Sequence, residues 1–465
     1  MGMTPRHGNL LSAEGLSAVF AFCSLALFAP PGAHAQERVA PHRESRPRVP
    51  IYDPGAPVQR KVLKNGVTLL VQEQRTSDRV AGAVAARMGT LYETDAEAGF
   101  SLVLVRSMIA GTTVQTPVDL KLLLSAMDAK LESSAGPDFG QISIATRREY
   151  ASRAAKLLAE IVLSPSFPDT SFESARLETI RRAGEQTESP IASTYTMFLR
   201  AMYAGSPFER SVSGTVPALS TCRRSDIVAL HRRFYAGSNL VVAFVGNVDG
   251  KRLMSDLEKA FAKVPSGPAP EPVPGEPCPL AADTVVTETR DYRLRSLVFG
   301  FPAPAFGDPD HPAFLILNSY IASADRSPIA YWLPTRRQAT GVGVIYAPYP
   351  KHSTIAVYLG ATQAQWQGAR DSVATVLRRL TTEPLDEGEW GVQLQRVQNS
   401  YFVNQRDPEW RANQMAYLEV VGRGYDYPKR FEEQLLKLTP EDVRAAAARW
   451  FTHSCEASIK PRESE

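Results

Sequence analysis

Gly99-Phe100-Ser101-Leu102-Val103-Leu104-Val105-Arg106-Ser107-Met108-Ile109-Ala110-Gly111-Thr112 is the stretch on which the fold turns. It is almost continuously apolar, free of proline, and closed by Gly111, a residue suited to a helix C-cap. The run predicts a helix. A helix this apolar is buried all round, so the neighbouring chain or a partner must cover it. Its only charge is Arg106.

Working outward, elements alternate. Lys61-Val62-Leu63-Lys64, Asn65-Gly66 and Val67-Thr68-Leu69-Leu70-Val71 spell a hairpin with a preferred turn dipeptide, and residues 80–88 a small, apolar strand. Residues 118–131 predict an amphipathic helix with Leu120, Leu123, Leu124 and Met127 on one face. Residues 141–146 alternate as a strand, and 149–163 form another amphipathic helix, stopped by Ser164-Pro165. A long charged helix over 172–188 ends before Pro190, and 193–203 is helical again. Ser225-Asp226 caps a helix through Phe234, and 240–245 is a buried strand ended by Gly246-Asn247. Seven prolines from Pro265 to Pro279 then mark a linker. Beyond them the order restarts a little over two hundred residues on. Glu441-Asp442 to Trp450 echoes the capped helix at Ser225-Asp226, Pro384 to Leu394 echoes Pro165 to Arg176, and 354–359 echoes the strand from Gln141. That is the pattern of a duplicated domain.

The small-residue entry Gly99-Phe100-Ser101 and the exit from Met108 to Thr112 resemble the first active-site helix of the pitrilysin/insulinase metallopeptidases, peptidase family M16. Tyr235-Ala236-Gly237-Ser238-Asn239-Leu240 and the long helix before Pro190 carry the same likeness, which runs from about Val58 to Pro461. The resemblance implies an α+β chain of two homologous pitrilysin-like domains, each an antiparallel-rich sheet packed by helices on one side. It divides the chain into a first domain over 58–264, a proline-rich linker over 265–284 and a second domain over 285–461.

In that family the first helix carries His-x-x-Glu-His, the inverted zinc motif. In register, the histidines fall on Leu102 and Arg106 and the glutamate on Val105. Positions i and i+4 face the same way, so two imidazoles can hold one Zn²⁺ there beside a general base. Leu102 offers no lone pair, Val105 moves no proton, and Arg106 is a cation without an acceptor. No conventional zinc site can be built on this helix, and no catalytic or metal-binding residue is assigned. The family's third ligand falls at about Arg182, with Glu178 and Glu185 a turn away as alternatives. The histidines after residue 35 are His42, His231, His311, His352 and His453, and no two lie three to five residues apart. His311, before Pro312, reads as a helix-start residue, and His231 as lying on the polar side of its helix.

The family's second site pairs an arginine and a tyrosine around a glycine turn to hold the substrate backbone. The spacing lands on Arg337, Gly341 and Val344. Tyr346, two residues along a strand and so on the same face, is the stand-in for the missing tyrosine. The resemblance thus makes Arg337, Gly341 and Tyr346 peptide-binding residues; the alternative leaves Arg336 and Arg337 in a solvated loop and Tyr346 in sheet packing.

Of the 465 residues, 44% are hydrophobic and 22% charged, with a net charge of +3. That balance argues against nucleic acid as the principal partner. Arg6 and His7, the apolar run over 16–29 and Ala33-His34-Ala35 read as a secretory signal peptide over 1–35, followed by a disordered leader over 36–57. No later run is long enough to span a bilayer. A Gram-negative periplasm is the implied address, with an extracellular one open. Cys222, Cys278 and Cys455 show no metal spacing and no disulfide framework.

Family members without the zinc motif commonly pair with a zinc-bearing homologue. The first expectation is therefore a secreted, non-catalytic subunit that holds peptide for such a partner, with zinc in the partner alone. A stand-alone binding or scaffold protein is the second, and an active zinc peptidase with unconventional ligands the third.

Overall fold

The computed structural model describes residues 56–75, 77–276, 280–323, 327 and 329–462. The expected signal peptide, nearly all of the expected leader, and Cys278 lie outside the described residues. Two sheets form the frame. The first is six-stranded in the order β1-β2-β6-β3-β5-β4, from β1 (Gln59–Val62), β2 (Thr68–Glu73), β3 (Arg79–Ala86), β4 (Lys130–Ala135), β5 (Gly140–Arg147) and β6 (Leu240–Gly246). The second is five-stranded, β7-β11-β8-β10-β9, from β7 (Thr284–Arg290), β8 (Arg295–Ala303), β9 (Thr340–Ala347), β10 (Ser353–Ala361) and β11 (Cys455–Pro461).

Strand for strand, β2, β6, β3, β5 and β4 match β7, β11, β8, β10 and β9. The match includes the one parallel pairing in each sheet, β2 with β6 and β7 with β11. The duplication is therefore topological as well as sequential. Arg224–Phe234 and Pro440–Trp450 are equivalent helices, and in each an aspartate, Asp226 or Asp442, accepts from the amide of the N-cap residue, Arg223 or Thr439, at 2.8 Å.

Alternation along β3 shows how the layers are built. Val80, Val84 and Ala86 join Ile142, Ile144, Val242 and Phe244 in a core shared with the helices Phe100–Met108, Ala151–Leu163 and Gly250–Phe261. Ala81, Ala83 and Ala85 point the other way and meet Ala412, Met415, Ala416 and Val420 of the Pro408–Val420 helix, which belongs to the second half. The exchange is reciprocal. Met197, Phe198 and Met202 of the Pro190–Met202 helix pack on Val298, Ala356, Cys455, Ala457 and Ile459 of the second sheet. Each half thus keeps its own helices on one face and borrows one helix for the other. Small residues on β3 let the borrowed helix approach closely.

The proline-rich segment is tied at several points. The Gly237 and Ser238 amides donate to the carbonyls of Pro265 and Gly267, and the Val273 amide donates to Leu91 at 2.7 Å. Glu276 accepts from Lys351 and His352 of the second half, each at 2.7 Å.

One expected helix is shorter than its pattern. Residues 118–131 resolve into a helix, Pro117–Ala126, and the strand β4. Met127 caps the helix, and Asp128, at φ 47°, turns the chain out of it.

Candidate functional site

The Phe100–Met108 helix sits where its apolarity demands. Every residue in it is buried except Arg106, which is half-buried. Its start is held from upstream: Glu93 accepts from the Gly99 amide at 3.0 Å and the Ser101 amide at 2.6 Å, a carboxylate on a helix N-terminus. Burial pushes the Glu93 carboxyl up. Gly99 (φ 91°) and Gly214 (φ 71°) lie face to face, and a Cβ on Gly214 would meet the Ala98 carbonyl oxygen at 2.2 Å. Gly214→Ala is therefore expected to cost about 2 kcal/mol or more through strain and overlap. A urea midpoint measures the loss, and an unchanged midpoint would refute the fit.

Beyond Arg106 lies the Asp169–Glu188 helix, so the two segments that the resemblance places at the metal do meet. Arg106 donates from Nη1 to Thr179 Oγ1 at 3.1 Å, and Thr179 passes its own proton to the Ala175 carbonyl at 2.7 Å. Thr179 stands one turn before Arg182. Glu178 is held by Arg181 at 2.7 Å and Arg182 at 2.9 Å, and Glu185 pairs with Arg181. The Arg181 and Arg182 bonds hold the Glu178 carboxyl down to about 2. Burial, then the neighbouring Arg182, lower the Arg106 guanidinium to about 10, still a cation at neutral pH. Leu102, one turn back on the same face, and Val105 are buried and apolar.

The donor set does not fit zinc. The places for two imidazoles and a general base hold a leucine, a guanidinium and a valine, and the flanking carboxylates are engaged by arginines. Among the described residues no group of three or more His, Cys, Asp or Glu side chains could hold a metal ion.

The residues expected to hold peptide separate. Arg337 is exposed, at φ 54°, and Gly341, at φ 56°, is the second residue of β9. Tyr346 is buried within β9 and its hydroxyl donates to the Pro304 carbonyl at 3.1 Å. With that proton committed, His311 Nδ1 must donate to the same hydroxyl, at 2.7 Å. Burial, then Arg423, lower His311 to about 3, so it is neutral, and it does begin its helix. His231 is not on a solvated face. It lies between Phe167 and Tyr235, with Nε2 2.8 Å from the Val162 carbonyl oxygen.

Sequence reasoning passed over β4. It ends the first sheet and runs against the Phe100–Met108 helix, as β9 ends the second. Its polar Lys130-Leu131-Glu132-Ser133-Ser134-Ala135 carries little strand signal, although the charged residues suit an open edge.

Two paired α/β halves around a degenerate metal frame define the class, a pitrilysin-like peptidase fold. The chain belongs to peptidase family M16. Residues 68–216 match the model described as insulinase (peptidase family M16), and residues 221–401 the one described as peptidase M16 inactive domain. The crystal structure of a protease from Helicobacter pylori has a TM-score of 0.80 at 18% identity, covering 87% of this chain and 99% of that one. An uncharacterized zinc protease of Rickettsia bellii is 17% identical over 399 residues, 85% of this chain and 96% of the relative. Bovine cytochrome b-c1 complex subunit 1 is 21% identical over 264 residues, 57% of this chain and 55% of that protein.

Proposed function

We propose that this chain is a secreted, non-catalytic member of family M16 that binds peptide beside a zinc-bearing homologue. The observation that carries the reading is Arg106, bonded to Thr179 and flanked by Leu102 and Val105 where the motif needs two imidazoles and a carboxylate. Water activation at this position would require groups that can accept a proton or coordinate a metal. Peptide binding needs neither. The terminal strands β4 and β9 offer backbone donors and acceptors for an added strand. Arg337 and Gly341 meet the peptide directly in this reading, and Tyr346 holds β9 in place from the core side. The name of the bovine relative, a complex subunit, supports an assembly role, and the apolar run over 16–29 supports export to the periplasm.

The buried hydroxyl of Tyr346 favours a second reading, a stand-alone binding protein, because it leaves only Arg337 of the expected pair free to reach a ligand. One experiment separates them. The mature chain is tagged in its native host, purified, and assayed for peptide cleavage with and without a chelator. A stoichiometric zinc-bearing homologue with chelator-sensitive cleavage is the expected result. A lone, metal-free and inactive chain would leave the stand-alone reading, and zinc with cleavage in the isolated chain would overturn both.

A further inference from the structure

Arg106 has donors to spare. A guanidinium carries five N–H groups, and among the described residues Arg106 uses one hydrogen bond, to Thr179, and has no ion pair. The nearby carboxylates are already taken. Glu178 serves Arg181 and Arg182, and Glu185 serves Arg181, so both acids are paired to arginines other than Arg106. Burial, then the like charge of Arg182, act against the Arg106 cation, and the Glu178 carboxylate offsets only a part of this. A half-buried fork whose remaining donors reach the surface, with two further arginines beside it, is suited to receive an anion.

The face beside it narrows the choice of anion. Leu102 lies one turn back on the same side of the helix; it packs into the core and is 9% exposed, so what little of it reaches the surface beside Arg106 is apolar. A ligand that satisfies both residues has an apolar body and a planar carboxylate. The guanidinium fork matches a carboxylate in two parallel bonds, which a point charge would not require. The helix also runs against the edge strand β4, so a peptide laid on that edge passes close by. We infer that the vestigial metal position is a carboxylate site, in which Arg106 receives the carboxylate of a bound peptide and Leu102 packs against the residue that bears it. This deepens the peptide-binding reading and rests on it for the source of the ligand. The carboxylate is the peptide's C-terminus or an acidic side chain, and the two are separated by the test.

The full mature chain is titrated calorimetrically with one leucine-ending peptide as its free acid and as its C-terminal amide. A third, amidated peptide carries an internal glutamate. Each is repeated with Arg106→Leu and Arg106→Lys. The wild type is expected to prefer a carboxylate-bearing peptide to the plain amide by about tenfold to a hundredfold, the range of a charged hydrogen bond. Arg106→Leu removes the preference, and Arg106→Lys, with charge but no fork, keeps a part of it. Preference for the free acid assigns the C-terminus, and preference for the internal glutamate assigns the side chain; either supports the site. Equal affinities for all three peptides, or a preference that survives in Arg106→Leu, would overturn it.

A companion arm measures the melting-temperature shift given by 4-methylpentanoate against chloride at equal ionic strength. If no peptide binds but this shift appears and depends on Arg106, the carboxylate site stands and the peptide-binding reading fails. If the shift is absent as well, the site falls. Melting curves of both variants confirm that they fold, and Arg106→Lys carries the test if Arg106→Leu does not.

Discussion

Ala416→Glu is expected to lower the stability of the whole molecule by about 4 kcal/mol or more, the scale of a buried carboxylate without partners. Ala416 is fully buried on the Pro408–Val420 helix, in a cluster with Leu70, Ala83, Ala243 and Val245 of the first sheet. That cluster offers the new charge no side-chain donor. The loss should not stay in the first half, because the Pro190–Met202 helix binds the second sheet in return through Phe198 and Met202. The five tryptophans, Trp332, Trp366, Trp390, Trp410 and Trp450, all lie in the second half. Trp410 is on the Pro408–Val420 helix itself, so with Trp410→Phe in both proteins the fluorescence of the other four reports on the second half while circular dichroism reports on both. In the wild type the two urea transitions should coincide, and in Ala416→Glu both should move to lower urea together. A fluorescence transition left in place while the dichroism shifts would show that exchanging helices does not couple the halves.

What was legible in the sequence follows how local each cause is. Asp226 and Asp442 cap their helices within three residues, and Asn65-Gly66 turns its hairpin, so those elements were readable. The apolar run around Leu102 to Val105 also announced a central helix, and the missing zinc donors were plain from residue type alone. The borrowed helices were not readable. Alanines 81, 83 and 85 give β3 a second apolar face, but nothing in them says that a helix more than three hundred residues later will cover it. Arg411 illustrates the same limit. By type it belongs in solvent, yet it is 2% exposed and donates to Gln72 at 3.0 Å across the seam. At the candidate site, the alternation of β9 placed Tyr346 on one face of its strand with Val344, and that face is turned to the core. The bonds that commit its hydroxyl, to Pro304 and from His311, come from chain segments tens of residues away. Arg106 could be recognised as misplaced for zinc, but its idle donors became visible only when Arg181 and Arg182 were seen to hold the neighbouring acids.

The same seam should respond to pH through one carboxyl. Asp138, in the turn between β4 and β5, is buried under the Pro408–Val420 helix. Its Oδ2 accepts from the Tyr417 hydroxyl at 3.3 Å, and its Oδ1 has no hydrogen-bond partner among the described residues. Burial raises it to about 7, outweighing its own backbone amide and the Tyr417 hydroxyl, which both favour the anion. An unfolded aspartate titrates near about 4. Between about pH 4 and about pH 7 the folded chain therefore holds a proton that the unfolded chain has released. The contribution of Asp138 to stability must fall as pH rises through that window and level off above it, opposite in sign to Glu178, whose paired carboxylate stabilises the fold above its unfolded pKa. Asp138→Asn keeps an acceptor for Tyr417 and has no charge to desolvate. It should match the wild type near about pH 4 and exceed it by about 2 kcal/mol or more near about pH 8. The quantity to measure is the difference between the two proteins in urea unfolding across that range, since every other titrating group then cancels. Parallel pH profiles would mean that Asp138 is solvated in the folded chain. A difference that opens between about pH 4 and about pH 7 and then holds constant would make this carboxyl the reason the two halves lock more tightly as the medium turns acidic.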